Sequence, residues 1–183
     1  MRKRLTLVLG GARSGKSIYA QGLAAGAKRV LFVATAEAGD QDMERRIRAH
    51  REQRPDHWDT LEEPIALAEA MEGRLHSYDI IIVDCLTLWV SNLLLVARGT
   101  PSATIDLVSE TRRLLDLFRK GSASWVVVSN EVGLGVVPAT ELGRIYADEL
   151  GRVNQAVAAE SDEVFFMAAG LALKIKSNAA RQS

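Results

Sequence analysis

A glycine-rich segment, Gly10-Gly11-Ala12-Arg13-Ser14-Gly15-Lys16-Ser17, follows the apolar run Leu5–Leu9 and precedes a segment with helical spacing. It fits the pattern G-x-x-x-x-G-K-[ST] in the strand-to-helix setting that this pattern requires. Glycines let the backbone wrap around an anion, so that successive N–H groups and the positive end of the next helix face phosphate oxygens. The stretch therefore predicts a loop that binds the phosphates of a nucleoside triphosphate.

Three side chains near this loop have predicted chemical roles. Lys16 is expected to reach the β- and γ-phosphates, and the Ser17 hydroxyl is expected to ligate Mg²⁺. Asp84 ends the apolar run Ile80–Val83 at the carboxyl edge of a predicted strand, where ligands of open α/β sheets bind. Its carboxylate would hold the metal through a water or bind part of the nucleotide, although many buried strands end in Asp without either role.

Short apolar runs alternate with stretches of helical spacing along the chain. The runs predict strands at 5–9, 29–34, 80–83, 125–129 and 163–167, and the stretches between predict helices at 17–25, 42–52, 64–71, 86–97, 104–120 and 140–160. Leu171–Ile175 follows the last of these strands too closely for a parallel crossover and predicts an antiparallel edge strand. The predicted fold class is therefore α/β, a RecA-like P-loop NTPase domain with a mostly parallel sheet flanked by helices.

Length, composition and charge argue against several classes of protein. The 183 residues include 48% apolar residues, and 23 basic side chains balance 23 acidic ones. Length and composition predict one nucleotide-binding domain over residues 1–183 with a polar tail at 177–183, and zero net charge argues against nucleic-acid binding. The first apolar run is too short for a signal peptide or a membrane span, and the lone Cys85 cannot form an internal disulfide. We expect a cytoplasmic protein with no membrane span.

One histidine lies among arginines in the predicted helix 42–52. His50 shares a face of this helix with two apolar side chains, and Arg51 and Arg54 follow it. One interpretation is a buried histidine in an apolar stripe beside solvated arginines. The other is a neutral imidazole that attacks phosphorus while the guanidiniums bind phosphate oxygens. Spacing alone does not decide between them.

Two further segments have open interpretations. Asn130-Glu131-Val132-Gly133-Leu134-Gly135 follows an apolar strand and is predicted at the same sheet edge as the phosphate loop. It is either an ordinary loop, or Asn130 or Glu131 helps to place a substrate hydroxyl or the metal. The predicted helix 86–97 is apolar nearly all round, so that it must be covered by its own sheet or by another subunit.

Several segments occur together in an unusual combination: the phosphate loop, Ala34-Thr35-Ala36, Arg46-Ile47, His50-Arg51, Arg54-Pro55, Trp58, Asn130-Glu131-Val132-Gly133 with Gly135, Val137-Pro138, and Gly151-Arg152-Val153-Asn154-Gln155. In this combination the chain resembles the bifunctional adenosylcobinamide kinase and adenosylcobinamide-phosphate guanylyltransferase family, over residues 7–176. The phosphate loop is shared with many ATPases, but the Arg-Ile-x-x-His-Arg and Asn-Glu-Val-Gly segments are far more particular.

The resemblance implies two reactions in cobalamin biosynthesis. ATP or GTP phosphorylates the aminopropanol hydroxyl of adenosylcobinamide, and GMP from GTP is then transferred to adenosylcobinamide phosphate through a covalent GMP-histidine. The matching histidine is His50, although Ala49 stands where the family often has a second histidine. The resemblance also implies a homo-oligomer, with a trimer favoured, in which the helix 86–97 is the candidate contact.

The same matching implies the GTP site, with Ser17 and Asp84 toward Mg²⁺. Its residues are Gly10, Gly11, Ala12, Arg13, Ser14, Gly15, Lys16, Ser17, Ala34, Thr35, Ala36, Arg51, Glu52, Gln53, Arg54, Glu62 and Asp84. Two other functions stay open on the residues alone, a plain small-molecule kinase without guanylylation and a RecA-like NTP-binding regulatory module. Because transfer at the γ-phosphorus and at the α-phosphorus presents different atoms, we expect either the helix with His50 to move or the nucleotide to bind in two ways.

Overall fold

Seven strands form one sheet in the computed structural model, which describes residues 2–37, 45, 51, 54–99 and 106–177. The spatial order is β3-β2-β4-β5-β1-β6-β7, and every neighbouring pair is parallel except β6 and β7. The strands are Leu5–Gly10 (β1), Val30–Ala34 (β2), Asp59–Glu62 (β3), Ile80–Asp84 (β4), Ser124–Val128 (β5), Glu163–Ala168 (β6) and Leu171–Ser177 (β7). The predicted fold class, with its antiparallel edge strand, is confirmed.

The helices of the described residues pack on both faces of this sheet, one helix on one face and four on the other. They are Lys16–Ala24 (α1), Leu67–Glu72 (α2), Leu86–Gly99 (α3), Leu107–Lys120 (α4) and Glu141–Glu160 (α5). Along β1, Leu5, Leu7 and Leu9 pack with the core side chains of α2 to α5, while Val8 packs with α1 on the opposite face. Burial on both faces explains why these strands read as continuous apolar runs. In the part of the chain that the structure describes, no helix is long and apolar enough to cross a membrane.

Two details of the predicted elements were wrong or missed. β3 was missed because three of its four side chains are exposed, so that the edge strand has no apolar pattern. α2 begins at Leu67 rather than at residue 64, because the Glu63 carboxylate accepts hydrogen bonds from the backbone N–H groups of Ile65 and Ala66 and holds a turn. The predicted helix 42–52 lies outside the described residues except for Arg45 and Arg51.

The turn between β6 and β7 supports the phosphate loop. Both of its central residues, Ala169 and Gly170, have positive φ, at 50° and 83°, as in a type I′ hairpin turn. The Gly170 N–H donates a hydrogen bond of 3.0 Å to the Ser14 carbonyl oxygen. The hairpin at the edge of the sheet is thereby joined to the centre of the site.

Ala169→Asn is expected to stabilise the fold by about 0.5–1 kcal/mol, because asparagine tolerates the left-handed conformation that alanine adopts there at a cost. For a chain of this size the gain corresponds to roughly 1–4 °C in Tm by thermal unfolding. Ala168→Asn, at an exposed position of β6 just before the turn, is the matched control and should give no gain. An equal gain from both variants would contradict the turn assignment.

Candidate functional site

The backbone of the phosphate loop is fixed by close approach. A Cβ at Gly10 would lie 2.4 Å from the Met167 carbonyl oxygen and 2.8 Å from the Ser14 hydroxyl, so that only glycine fits. Gly15, with φ of 95°, forms the N-cap of α1. No side chain caps this helix start, and its first turn has no acidic residue. The first N–H groups of α1 are therefore open to an anion, the arrangement that binds phosphate at helix N-termini.

Lys16 is held inside this loop. Its side chain is buried, and its ammonium donates a hydrogen bond of 2.6 Å to the Gly11 carbonyl oxygen. Burial lowers the pKa of Lys16, while the nearby Cys85 and Asp84 act in the opposite direction. The Lys16 ammonium thus donates to a neutral carbonyl oxygen in a partly desolvated loop. An anionic phosphate oxygen is a stronger hydrogen-bond acceptor for this ammonium.

A cavity of about 550 Å³ opens beside the loop, between the carboxyl ends of the central strands and the start of α3. Cavities of this size hold nucleotide-sized ligands. The predicted site residues that line it are Ala12, Arg13, Ser14, Gly15, Lys16, Ser17, Ala34, Ala36, Arg54, Glu62 and Asp84. The fold therefore brings residues from four separate segments of the sequence to one place.

The remaining predicted site residues do not line the cavity or are not described. Gly10 and Gly11 belong to the backbone of the phosphate loop and do not line the cavity. Arg51 forms an ion pair with Glu62 at the surface. Thr35 is fully buried, and its hydroxyl donates to the Cys85 carbonyl and accepts from the Cys85 N–H, at 2.7 and 2.8 Å. Thr35 thus joins the ends of β2 and β4. His50, Glu52 and Gln53 lie outside the described residues, so their roles stay predictions.

Arg54 lines the cavity, and the surroundings of its guanidinium are unusual. The guanidinium carbon lies 3.7 Å from the centroid of the Phe32 ring, a stacked cation–π contact. Its Nε and Nη1 are buried without a hydrogen-bond partner among the described residues. Burial lowers the pKa of Arg54, and the Asp84 carboxylate partly offsets that effect. Buried donors without partners are costly, so this side chain is suited to receive phosphate oxygens.

Arg54→Lys is expected to weaken nucleotide binding by about tenfold, because lysine keeps the charge but loses the planar donor fork and the stacking on Phe32. The dissociation constant is measured by calorimetry with GTP. Arg29→Lys, at an exposed arginine that pairs with Asp79 away from the cavity, is the control and should bind normally. Unchanged affinity in Arg54→Lys would show that its buried donors do not contact the nucleotide.

Oxygen donors for a metal are also in place. The Ser17 hydroxyl and the Asp84 carboxylate line the same cavity, and Mg²⁺ prefers such ligands, taking the remainder from waters and phosphates. No cluster of three or more His, Cys, Asp or Glu side chains that could hold a metal occurs in the described ranges. The donor set therefore fits Mg²⁺ bound together with a nucleotide rather than a metal held by the protein alone.

Sequence reasoning missed one residue beside Asn130, which is Thr87. The Asn130 side chain lines the cavity, as predicted for its sheet edge, and its backbone N–H donates to the Thr87 hydroxyl at 2.7 Å. The buried Asn154 amide donates to the Asn130 carbonyl at 3.0 Å. The sequence pattern did not mark Thr87 as a site residue, because Thr87 lies in the most apolar helix. Glu131 does not line the cavity, and its carboxylate accepts from the Gly133 N–H at 2.8 Å.

Cys85 also lines the cavity, but it is a poor nucleophile. Burial raises the pKa of its thiol to about 11, so that the thiol stays protonated at neutral pH. Cys85 is therefore not a candidate nucleophile of this site.

Comparisons with known proteins agree with this geometry. The family model described as cobinamide kinase / cobinamide phosphate guanyltransferase matches residues 6–175. The chain is 47% identical over 171 residues to the bifunctional adenosylcobalamin biosynthesis protein CobP of Pseudomonas aeruginosa, covering 93% of this chain and 96% of that one. It is 36% identical over 180 residues to the corresponding CobU of Escherichia coli, covering 94% and 99%. A solved ATPase of a bacterial type III secretion system shares the fold alone, with a TM-score of 0.52 at 13% identity, covering 93% of this chain and 56% of that one.

Proposed function

Because the chain belongs to the cobinamide kinase / cobinamide phosphate guanyltransferase family, we propose that the cavity beside its phosphate loop serves two successive transfers, onto adenosylcobinamide and then onto adenosylcobinamide phosphate. The observation that supports this most directly is the set of anion-binding groups around the cavity: the uncapped N-terminus of α1, the buried Lys16 and the stacked Arg54. They suit a triphosphate whose charge must be neutralised in more than one position.

In the first reaction the nucleotide, ATP or GTP, binds with its terminal phosphates in the loop. Lys16 exchanges the Gly11 carbonyl for β- and γ-phosphate oxygens, and the N–H groups at the start of α1 hold the remaining oxygens. The aminopropanol hydroxyl attacks the γ-phosphorus. A new P–O bond forms, the bond to the β-phosphate breaks, the nucleoside diphosphate leaves, and the hydroxyl proton is released. Positioning and charge neutralisation by these groups provide the acceleration.

In the second reaction His50 acts as the nucleophile on GTP. A neutral imidazole is available at pH 7, since its ordinary pKa is near 6.5. It attacks the α-phosphorus, pyrophosphate leaves, and GMP remains bound to the ring nitrogen. A phosphate oxygen of adenosylcobinamide phosphate then displaces the imidazole and gives adenosylcobinamide-GDP. Lys16 and Arg54, which line the same cavity, would neutralise the departing pyrophosphate.

We assign Ser17 and Asp84 to Mg²⁺ in both reactions. When bound, the ion would draw charge from the phosphate oxygens and fix the orientation of the triphosphate. The protein's share is to present one neutral and one anionic oxygen from residues that line the same cavity.

Labelled GTP tests this assignment in the wild-type chain. With label on the γ-phosphorus, transfer to adenosylcobinamide is expected. With label on the α-phosphorus, the denatured protein is expected to keep label that is lost in acid and survives in base, as for phosphorus bound to histidine nitrogen. Transfer of γ-label without any protein-bound α-label would support the plain kinase instead, and neither transfer would leave only an NTP-binding module.

We also propose that the chain forms a homo-oligomer, with a trimer favoured. Only part of the helix 86–97, first predicted as the contact, is available to another subunit. Trp89, Val90 and Leu93 of α3 are buried in the subunit's own core. Leu95 and Val96 at the end of α3 remain exposed, at 56% and 41%. Sedimentation of the purified chain tests the assembly, and a monomer at micromolar concentration would contradict it. The cytoplasmic location stays a prediction.

A further inference from the structure

The loop between β5 and α5, residues 131–139, exposes apolar side chains beside the nucleotide cavity. Leu134, Val136 and Val137 have exposed fractions of 78%, 95% and 74%. Surface loops are usually polar, and neighbouring exposed aliphatic side chains mark an interaction site. Resting on the function proposed above, we propose that this loop is the surface on which the corrin ring of the acceptor lies.

Both ends of the loop are held in place. At the start, the Glu131 N–H donates to the Gly10 carbonyl at 3.1 Å, which joins the loop to the phosphate loop. At the end, the Arg144 guanidinium donates to the carbonyl oxygens of Pro138 and Ala139, both at 3.0 Å. Thr140 caps α5 by accepting from the Gly143 N–H at 3.1 Å. The apolar side chains are therefore presented from a braced backbone.

The loop is continuous with the cavity. Asn130, the residue before it, lines the cavity, and so does Leu88 at the start of α3. The volume of about 550 Å³ suits one nucleotide, so the acceptor can insert only its aminopropanol arm. The macrocycle must remain outside at the rim. A corrin ring carries methyl groups as well as amide side chains, and the transfer of its methyl-bearing parts from water onto aliphatic side chains is favourable.

A second copy of the chain fits this loop less well. A subunit seated here would cover the cavity rim through which the acceptor arm has to pass. Leu171, Leu173 and Ile175 on the edge strand β7 are also exposed, and they offer a partner copy an apolar strip of its own. The position of the 131–139 loop therefore favours the substrate as its occupant.

Val136→Asp in the full-length enzyme tests the assignment. We expect the KM for adenosylcobinamide in the kinase reaction to rise by about tenfold, with kcat, GTP affinity and sedimentation unchanged. The matched control is Val108→Asp, the same change at a valine of α4 that is 46% exposed and does not line the cavity, and its KM should stay normal. An unchanged KM in Val136→Asp, or a change in its oligomeric state, would overturn the inference.

Val136→Trp gives a second readout that does not depend on turnover. Corrinoids absorb in the region of tryptophan emission, so adenosylcobinamide bound on the loop is expected to quench an indole at position 136 strongly. The same substitution at Val108 is the control for general quenching, and equal quenching at both positions would contradict the proposal. A wild-type enzyme that binds adenosylcobinamide without phosphorylating it would count against the proposed function and leave these binding results interpretable.

Discussion

Lys16→Ala is expected to lower kcat/KM of the kinase reaction by about a thousandfold. The reason is positional: the ammonium is buried in the phosphate loop and is already held 2.6 Å from a carbonyl oxygen that a phosphate oxygen can replace. The guanylyl transfer should fall as well, because pyrophosphate departs from the same loop. Both rates are measured with labelled nucleotide under saturating and subsaturating conditions.

The stability of this variant distinguishes a lost charge from a lost fold. Because burial lowers the pKa of Lys16, the folded state holds the charged amine at a cost, and its removal should leave Tm unchanged or slightly higher. Lys28→Ala, at an exposed lysine after α1, is the matched control and should retain full activity. Activity of Lys16→Ala within tenfold of the wild type would contradict the assigned role, and a lower Tm would contradict the stability argument.

His50→Ala is expected to abolish the protein-bound GMP and to reduce guanylyl transfer by more than about a thousandfold, while the kinase rate changes by less than about threefold. The physical reason is that only the second reaction needs a covalent nucleophile, whereas the first needs the phosphate loop and the acceptor hydroxyl. Ala49 precedes His50, so no neighbouring imidazole can take its place. The adduct is measured after denaturation with GTP labelled on the α-phosphorus.

His57→Ala is the matched control for this variant. His57 is exposed and lies edge-on to Trp58, with ring centroids 6.4 Å apart, and it does not line the cavity. Both reactions should proceed normally in that variant. If the adduct persisted in His50→Ala, another side chain would be the nucleophile. If His50→Ala also lost the kinase reaction, the assignment of the kinase reaction to the phosphate loop without His50 would be wrong.

The parts of this structure that were predictable are those governed by local pattern. The buried strands could be located because each is apolar on both faces, and Lys16 and Asp84 could be brought together because both follow strands of a parallel sheet. β3 was not predictable from an apolar pattern, since its side chains are mostly exposed. The stacking of Arg54 on Phe32 depends on two segments meeting in space, which no local pattern encodes.

The position of β1 has a consequence for biosynthesis. It lies between β5 and β6, and the loop that follows it is braced through Ser14 by Gly170. β1 is synthesised before β5, β6 and Gly170, so that it must wait for segments far along the chain before both of its neighbours and its brace exist. Until then an apolar strand and an unsupported phosphate loop are exposed, which is the situation that favours aggregation of nascent chains. The ability to bind nucleotide is thus acquired only after the turn between β6 and β7 has been synthesised, and chains truncated before this turn should lack it.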